Sequence, residues 1–233
     1  MKKQSLVLAL MLAVVAGPLA FAADEAQGTP MPGDDVLVEQ PATPVDSTFQ
    51  AGTTLENLQA AFDGESNAAA KYAAYAKKAD EEGYAPVASL FRAASRAEQI
   101  HRDNHADVIR SMGVEPKADI KPVEVKTTAE NLKVAVAGET FERDVMYPAY
   151  MQVARRDRDR NALRTFNYAQ IAETHHAAAY TEASEKLVEY KDSAGVTWYV
   201  CPTCGETIRA SDFAKLSKCP VCFTRTSTFE PIS

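Results

Sequence analysis

The same spacing of glutamate and histidine occurs twice along this chain of 233 residues. Glu65 lies 33 residues before Glu98, which opens the sequence "EQIH", and Glu139 lies 34 residues before Glu173, which opens "ETHH". A glutamate and a histidine three residues apart lie on one face of an α-helix. The two spacings therefore indicate a duplicated pair of helices, each pair carrying one Glu and one Glu-x-x-His.

Start and stop signals divide the region around this repeat into four helical segments. The predicted segments run from about Thr54 to Glu82, from Pro86 to just before Gly113, from Thr127 or Thr128 onward, and from residue 159 to residue 189. Gly83 is expected to end the first segment. Pro148 is expected to kink or break the third, because proline removes a helical hydrogen bond. These four segments predict a mainly α-helical four-helix bundle over residues 53–190.

The apolar stripe of each segment passes through these acidic residues. On the first segment, Leu58 and Phe62 precede Glu65 at helical spacing, and Ala69 follows it. The same reasoning predicts seven inward-facing polar residues: Glu65, Glu98, His101, Glu139, Glu142, Glu173 and His176. An unpaired buried carboxylate costs several kcal/mol, whereas a whole domain is stable by only about 5–15 kcal/mol. The stripes carry no lysine or arginine near these residues, so bound multivalent cations are predicted.

Carboxylates with one imidazole per metal suit a pair of iron or manganese ions. Bundles that hold such a pair use a Glu from each of two helices and a Glu-x-x-His from each of the other two. Glu142 is surplus to that set and would give one metal a choice of ligands. The alternative is an ordinary bundle in which these glutamates are solvated.

Four further residues lie close to this predicted site in the sequence. His105 and His175 are expected at the surface or hydrogen-bonded to a ligand. Tyr72 and Tyr147 are interpreted either as core aromatics or as hydroxyl donors to ligating carboxylates.

The C-terminal region, residues 191–233, contains two Cys-x-x-Cys loops, termed knuckles below. Cys201 and Cys204 form the first, and Cys219 and Cys222 form the second after fourteen intervening residues. This pattern is typical of one tetrahedral metal held by four thiolates, either iron or zinc. Gly205 permits a tight turn after the first knuckle. Disulfides are the alternative, although a bridge within Cys-x-x-Cys is strained.

The N-terminus predicts export. Residues 1–22 combine Lys2 and Lys3 with an apolar run and a small-x-small site ending at Ala22, as in a cleaved signal peptide. An uncleaved membrane anchor is the alternative, and no membrane span is expected after cleavage. Residues 23–52 are proline-rich and predict a flexible tether. Cleavage removes two lysines and no acid, so the formal charge becomes more negative than −7, which disfavours nucleic-acid partners.

The order of Glu65, "EQIH", "GETFE", "MYP", "ETHH" and two knuckles resembles the rubrerythrin family over about residues 53–233. The resemblance implies a ferritin-like di-iron bundle joined to a rubredoxin-like domain with one mononuclear iron. It also implies a homodimer in which the rubredoxin-like centre of one subunit lies near the di-iron site of the other. One iron would exchange His101 for Glu142 on oxidation, and Tyr72 and Tyr147 would be active-site tyrosines.

The activity that this resemblance implies is a non-haem di-iron peroxidase that reduces hydrogen peroxide to water in oxidative-stress defence. Glu142, Tyr72 and Tyr147 are its candidate catalytic residues. Two features depart from the family pattern: the export signal with its tether, and a longer gap between the knuckles. A periplasmic protein has no NADH pool, so the electron donor is an unidentified redox protein.

Two alternative functions stay open from the sequence. One is a ferroxidase or iron-binding protein with a structural zinc at the four cysteines. The other is a metal-stabilised interaction protein with a zinc ribbon.

Overall fold

The first half of the bundle is a pair of long helices in the computed structural model, which describes residues 49–233. Helix α1 spans Thr54–Glu81 and begins with a capping box between Thr53 and Glu56. Helix α2 spans Ala85–Ser111 and carries a proline in its first turn. Gly83 and Gly113 follow the two helices with φ of 76° and 78°, a conformation that glycine adopts without steric cost. Both helices thus begin and end close to the predicted positions.

The second half is broken where the sequence predicts. Helix α3 spans Thr128–Phe141 and is capped by Thr127. A π-helical turn then covers Glu142–Met146, and helix α4 spans Tyr147–Arg156 with Pro148 in its first turn. The break lies before Pro148 because this residue has no N–H to donate to the preceding turn. Helix α5, Arg160–Glu185, is followed by the short helix α6, Leu187–Tyr190, where one continuous helix to residue 189 was predicted.

Two apolar clusters fill the bundle. One contains Tyr72, Phe91 and Tyr180, and the other contains Tyr147 and Phe166. The hydroxyls of Tyr72 and Tyr147 point to carboxylates that lie between the clusters. The polar site therefore lies inside the bundle, with apolar packing on either side.

The cysteine unit is a small sheet with loops. Strands β1 (Trp198–Val200), β2 (Thr207–Arg209) and β3 (Glu230–Ile232) form an antiparallel sheet in the order β2-β1-β3. A four-residue helix α7, Ala210–Phe213, and a 3₁₀ turn, Thr226–Thr228, connect the strands. This confirms the predicted fold class, a mainly α ferritin-like bundle with a small rubredoxin-like unit at its C-terminus.

The cysteine unit is seated on the bundle of its own chain. Arg96 forms a bidentate ion pair with Glu230 at 2.6 and 2.8 Å, and Arg209 pairs with Glu182 at 3.0 Å. Trp198 is buried in the first apolar cluster. The arrangement that the resemblance implies, in which the cysteine centre of one subunit lies near the di-iron site of another, stays a prediction.

The predicted signal peptide and most of the predicted tether, residues 1–48, lie outside the described residues. The last four tether residues, 49–52, contact the bundle. The ring of Phe49 lies 5.5 Å from that of Phe141 and 5.8 Å from that of Tyr150, and the N–H of Gly52 donates to Asn57 Oδ1 at 2.8 Å. Within residues 49–233, no helix has the length and apolar character needed to cross a membrane.

Candidate metal centres

Two groups of ligand atoms share the same pair of glutamates in the bundle. One group consists of Glu65, Glu98, His101 and Glu173, and the other of Glu98, Glu139, Glu173 and His176. The ligand atoms of each group lie within 4.8 Å of one another, and all six side chains are buried. Since Glu98 and Glu173 belong to both groups, the arrangement suits two metal ions joined by two bridging carboxylates.

The two histidines turn the same nitrogen toward the carboxylates. His101 Nδ1 lies 2.9 Å from Glu98 and 3.2 Å from Glu173, and His176 Nδ1 lies 2.8 Å from Glu173 and 3.3 Å from Glu98. The opposite nitrogens, Nε2, face the cysteine unit. When Nε2 carries the proton, Nδ1 presents its lone pair to a metal.

The charges of the cluster require compensation. Burial and the neighbouring Glu98 raise the pKa of Glu65 well above its usual range. Burial lowers the pKa of His101, but Glu173 and Glu98 outweigh it and raise that pKa to about 10. One oxygen on each of Glu65, Glu98, Glu139 and Glu173 is buried without a hydrogen-bond partner. Such atoms are costly unless a cation meets them, so the residues present fit a metal pair.

Each tyrosine bonds a carboxylate from the other half of the bundle. The Tyr72 hydroxyl on α1 donates to Glu139 on α3, and the Tyr147 hydroxyl on α4 donates to Glu65 on α1. Tyr72 follows Glu65 by seven residues, whereas Tyr147 follows Glu139 by eight. The π-helical turn absorbs the extra residue, so Tyr147 still faces inward.

Glu142 lies at the edge of the site. It begins the π-helical turn, is partly exposed and belongs to neither ligand group. Burial, followed by the charges of Glu173 and Glu98, raises its pKa to about 8. The structure therefore separates Glu142 from the other predicted ligands, although its charge acts on the same cluster.

The two further histidines occupy different environments. His105 is fully buried, and its ring nitrogens lie 3.2 Å from the Tyr147 hydroxyl and 3.0 Å from Thr165 Oγ1. Burial, and next the charge of His101, lower its pKa to about 3. Thr165, His105 and Tyr147 thus form a hydrogen-bonded chain that ends at Glu65. His175 is half-exposed and pairs with Glu206 at 2.8 Å.

The four cysteines form the second candidate centre. Cys201 Sγ lies 3.5 Å from Cys222 Sγ, and Cys204 Sγ lies 3.6 Å from Cys219 Sγ. Sulfur atoms around one tetrahedral metal, with metal–sulfur bonds of about 2.3 Å, lie at about this separation. All four thiols are free, so the alternative of disulfides is wrong for this structure.

The contacts between the centres were not predicted. His101 Nε2 lies 3.1 Å from the carbonyl oxygen of Cys204, and His176 Nε2 lies 3.1 Å from Thr207 Oγ1. Helical periodicity carries no signal for Thr207 or for a backbone carbonyl, because both belong to the cysteine unit. These two contacts connect each predicted metal-binding histidine to the region around the first knuckle.

Comparison with known proteins identifies the family. The Rubrerythrin family model matches residues 56–184. The chain belongs to the rubrerythrin family. Nigerythrin of Nitratidesulfovibrio vulgaris (strain Hildenborough) is 37% identical over 188 residues, which cover 79% of this chain and 89% of nigerythrin. Rubrerythrin-2 of Clostridium acetobutylicum is 32% identical over 178 residues, which cover 76% of this chain and 95% of that protein.

Solved structures agree with this assignment. The fully reduced, all-ferrous state of nigerythrin matches with a TM-score of 0.74 at 34% identity, covering 84% of this chain and 95% of that chain. A bacterioferritin of Mycobacterium tuberculosis, with a TM-score of 0.55 at 19% identity, shares the fold alone.

Membership of the rubrerythrin family gives the two centres their cofactors. The family carries a di-iron site, which the carboxylate and histidine cluster fits. The four-cysteine cluster fits a rubredoxin-like iron. The family is one of oxidoreductases of the peroxidase type.

Proposed function

We propose that this protein reduces hydrogen peroxide to water at the di-iron site, using electrons relayed through the four-cysteine iron. The observation that carries the proposal is the direct contact between the centres, in which both histidines reach the cysteine unit at 3.1 Å. The iron pair, when bound, supplies two electrons to the O–O bond. Two protons complete the reduction to two water molecules.

The histidines have two roles in this proposal. Nδ1 of each ring would hold a metal, while the Nε2–H groups of His101 and His176 donate to the Cys204 carbonyl and to Thr207 Oγ1. Such partners fix the ring orientation and the tautomer of a metal-binding histidine. The hydrogen bond from His101 also gives electrons a short path between the centres, because Cys204 supplies both the accepting carbonyl and a thiolate.

Protons reach the site through residues of this chain. Burial and the adjacent Glu65 raise the pKa of Tyr147 well above its usual range, so its hydroxyl keeps its proton and donates it. His105 and Thr165 stand behind Tyr147, and Thr165 also lines a surface cleft of about 440 Å³. This chain connects solvent with Glu65. In the other half, the Tyr72 hydroxyl donates a hydrogen bond to Glu139.

Glu142 is the proposed mobile ligand, in exchange with His101. Its position on a π-helical turn supports this role, since such turns are frequent at functional sites. The exchange of one ligand for the other is what the resemblance to the family implies.

Metal content and turnover together test the proposed function. The purified protein is analysed for iron and zinc per chain, and the reduced protein is then given peroxide. Iron at both centres with rapid peroxide consumption is expected. Iron in the bundle with zinc at the cysteines, and oxidation of added Fe(II) without electron input, would favour the ferroxidase alternative. Zinc at both centres would favour the interaction protein.

Export and dimer formation are also proposed. Support for export comes from residues 1–22, whose charged start, apolar run and Ala22 are typical of a cleaved signal peptide. The mass of the protein recovered from a periplasmic fraction tests cleavage after Ala22. Sedimentation of the same sample tests the homodimer.

A further inference from the structure

The two knuckles have the same local sequence but face different surroundings. The inner knuckle, residues 201–205, and the outer knuckle, residues 219–223, both read Cys-Pro-x-Cys followed by one residue with positive φ. That residue is Gly205 in the inner knuckle, with φ of 79°, and Phe223 in the outer knuckle, with φ of 61°.

The inner knuckle is pressed against the bundle. The carbonyl of Cys204 accepts from His101, and the carbonyl of Thr203 accepts from Asn104 Nδ2 at 2.9 Å. A Cβ atom at Gly205 would collide with the imidazole of His101. Glycine is therefore required here both by its conformation and by the close approach of α2.

The outer knuckle faces solvent. The side chain of Phe223 is 57% exposed, although a left-handed conformation is strongly disfavoured for a bulky residue. Burial does not explain why phenylalanine occupies this position. Cys222 beside it is partly exposed, whereas Cys201, Cys204 and Cys219 are buried. A strained, exposed aromatic next to the most accessible metal ligand points to a role in binding.

The charge around the outer knuckle is opposite to that of the whole chain. Between Asp212 and Glu230 the sequence has three cations, Lys215, Lys218 and Arg225, and no acid, in a protein of net charge −7. Lys215 is paired with Asp212 at 2.8 Å. Lys218 and Arg225 lie opposite each other in an antiparallel bridge and are exposed. Within residues 49–233, neither of these two forms an ion pair.

We propose that Phe223, Lys218 and Arg225, termed the outer-knuckle surface, are the docking site for an acidic one-electron carrier protein. The proposal rests on the proposed function and names the partner that supplies its electrons. Each docking event transfers one electron, which oxidises the carrier and reduces the ferric four-cysteine iron, and no atom is transferred. Phe223 supplies an apolar anchor, since aromatic residues are enriched at protein interfaces, and the two cations steer an acidic partner. Electrons thus enter beside Cys222 and leave on the Cys204 side, toward His101.

Rapid mixing with a reduced plant-type [2Fe–2S] ferredoxin, an acidic one-electron carrier, tests the docking site. The second-order rate of reduction of the four-cysteine iron is followed at low and high salt. The rate should fall steeply with salt. A Lys218→Glu/Arg225→Glu variant should lower it at least about tenfold at low salt. The matched control, Lys77→Glu/Lys133→Glu, makes the same charge change on exposed positions of α1 and α3 and should alter the rate less than about twofold.

A Phe223→Gly variant separates docking from structure. Glycine tolerates the positive φ, so this variant should melt at a higher temperature while accepting electrons from ferredoxin several-fold more slowly. Its reduction by dithionite, a small molecule, should be unchanged. A lower melting temperature would mean that Phe223 is structural and would overturn its role as an anchor.

Binding gives a readout independent of electron transfer. The affinity of oxidised ferredoxin for zinc-loaded protein should weaken in the Lys218→Glu/Arg225→Glu variant and persist in the control. Equal behaviour of the two double variants would overturn the proposal, as would altered sedimentation of the first alone, which would mark a contact between copies of this chain. If the purified protein lacks the colour of a ferric thiolate centre, the proposed function is wrong. The binding measurement still tests whether the outer-knuckle surface binds ferredoxin.

Discussion

The two halves of the bundle carry equivalent metal ligands but differ in what lies behind them. In the first half, His101 is followed one turn later by His105, which bonds Thr165 and Tyr147. In the second half, His176 is followed one turn later by Tyr180, whose buried hydroxyl has no hydrogen-bond partner. The Tyr180 ring packs on Phe91 and Tyr72 with centroids 5.0 and 5.5 Å away.

This difference gives the duplicated site a polar side and an apolar side. On one side of the site, the hydrogen-bonded chain from Thr165 to Glu65 begins at a residue that lines a surface cleft, whereas aromatic rings pack on the other side. The duplication gives both halves equivalent metal ligands. The residues one turn after the metal-binding histidines then give the two halves different surroundings. In the proposed function, proton delivery takes place on the Glu65 side.

The largest expected effect comes from the glutamates that both ligand groups share. Glu98→Gln and Glu173→Gln should each lose most of the paired iron, because each removes an anionic donor from both positions at once. Iron per chain by elemental analysis measures this, with Glu185→Gln on the exposed part of α5 as the control. A full iron content in either shared-glutamate variant would contradict the equivalence of the metal ligands in the two halves.

A large effect on rate is expected from the polar chain. His105→Phe should lower peroxide turnover about 10²-fold, within the usual range for loss of a proton-transfer group, while iron content stays unchanged because His105 is in neither ligand group. Steady-state turnover with its solvent isotope effect is the measurement. Tyr180→Phe, at the matching position of the other half, should change turnover less than about twofold. Similar losses in both variants would show that the halves do not differ in proton delivery.

A moderate effect is expected when the π-helical turn is removed. Deletion of Asp144 restores the seven-residue spacing of the first half and converts the turn to α-helix, so Tyr147 still faces Glu65. The Arg143–Asp144 pair that is lost is at the surface and contributes little. The bundle should therefore keep its iron, while turnover falls several-fold because Glu142 loses its position. Loss of iron on deletion would mean that the turn is needed to hold the ligands.

The smallest effect concerns stability. Tyr180→Phe removes a buried hydroxyl that has no partner, so the free energy of unfolding should stay the same or rise by up to about 1 kcal/mol. Tyr147→Phe removes a donor to Glu65 and should lower the stability of the metal-free protein instead. Chemical denaturation of both variants without metal measures the contrast. A clear loss of stability in Tyr180→Phe would reveal a partner for its hydroxyl.

Helical periodicity predicts the bundle and the facing of its ligands because both depend on spacing within one helix. The structure brings together Glu65, Glu98, His101, Glu139, Glu173 and His176, and leaves Glu142 at the edge. The π-helical turn has a signal in the sequence, because Tyr147 follows Glu139 by eight residues rather than seven. Thr165 and Thr207 have none, because their contacts depend on how separate elements pack. The position of the cysteine unit on its own bundle also has no signal in the sequence, because it depends on long-range ion pairs.

Rapid mixing of the fully reduced, iron-loaded protein with peroxide tests most directly whether the two centres act as one peroxide reductase. The absorption of both iron centres is followed after mixing with peroxide and, separately, with dioxygen. Peroxide should oxidise the di-iron site first and faster than dioxygen does, and the four-cysteine iron should follow at a rate independent of protein concentration. Equally slow oxidation by peroxide and dioxygen, or a four-cysteine iron that stays reduced, would contradict the proposed function.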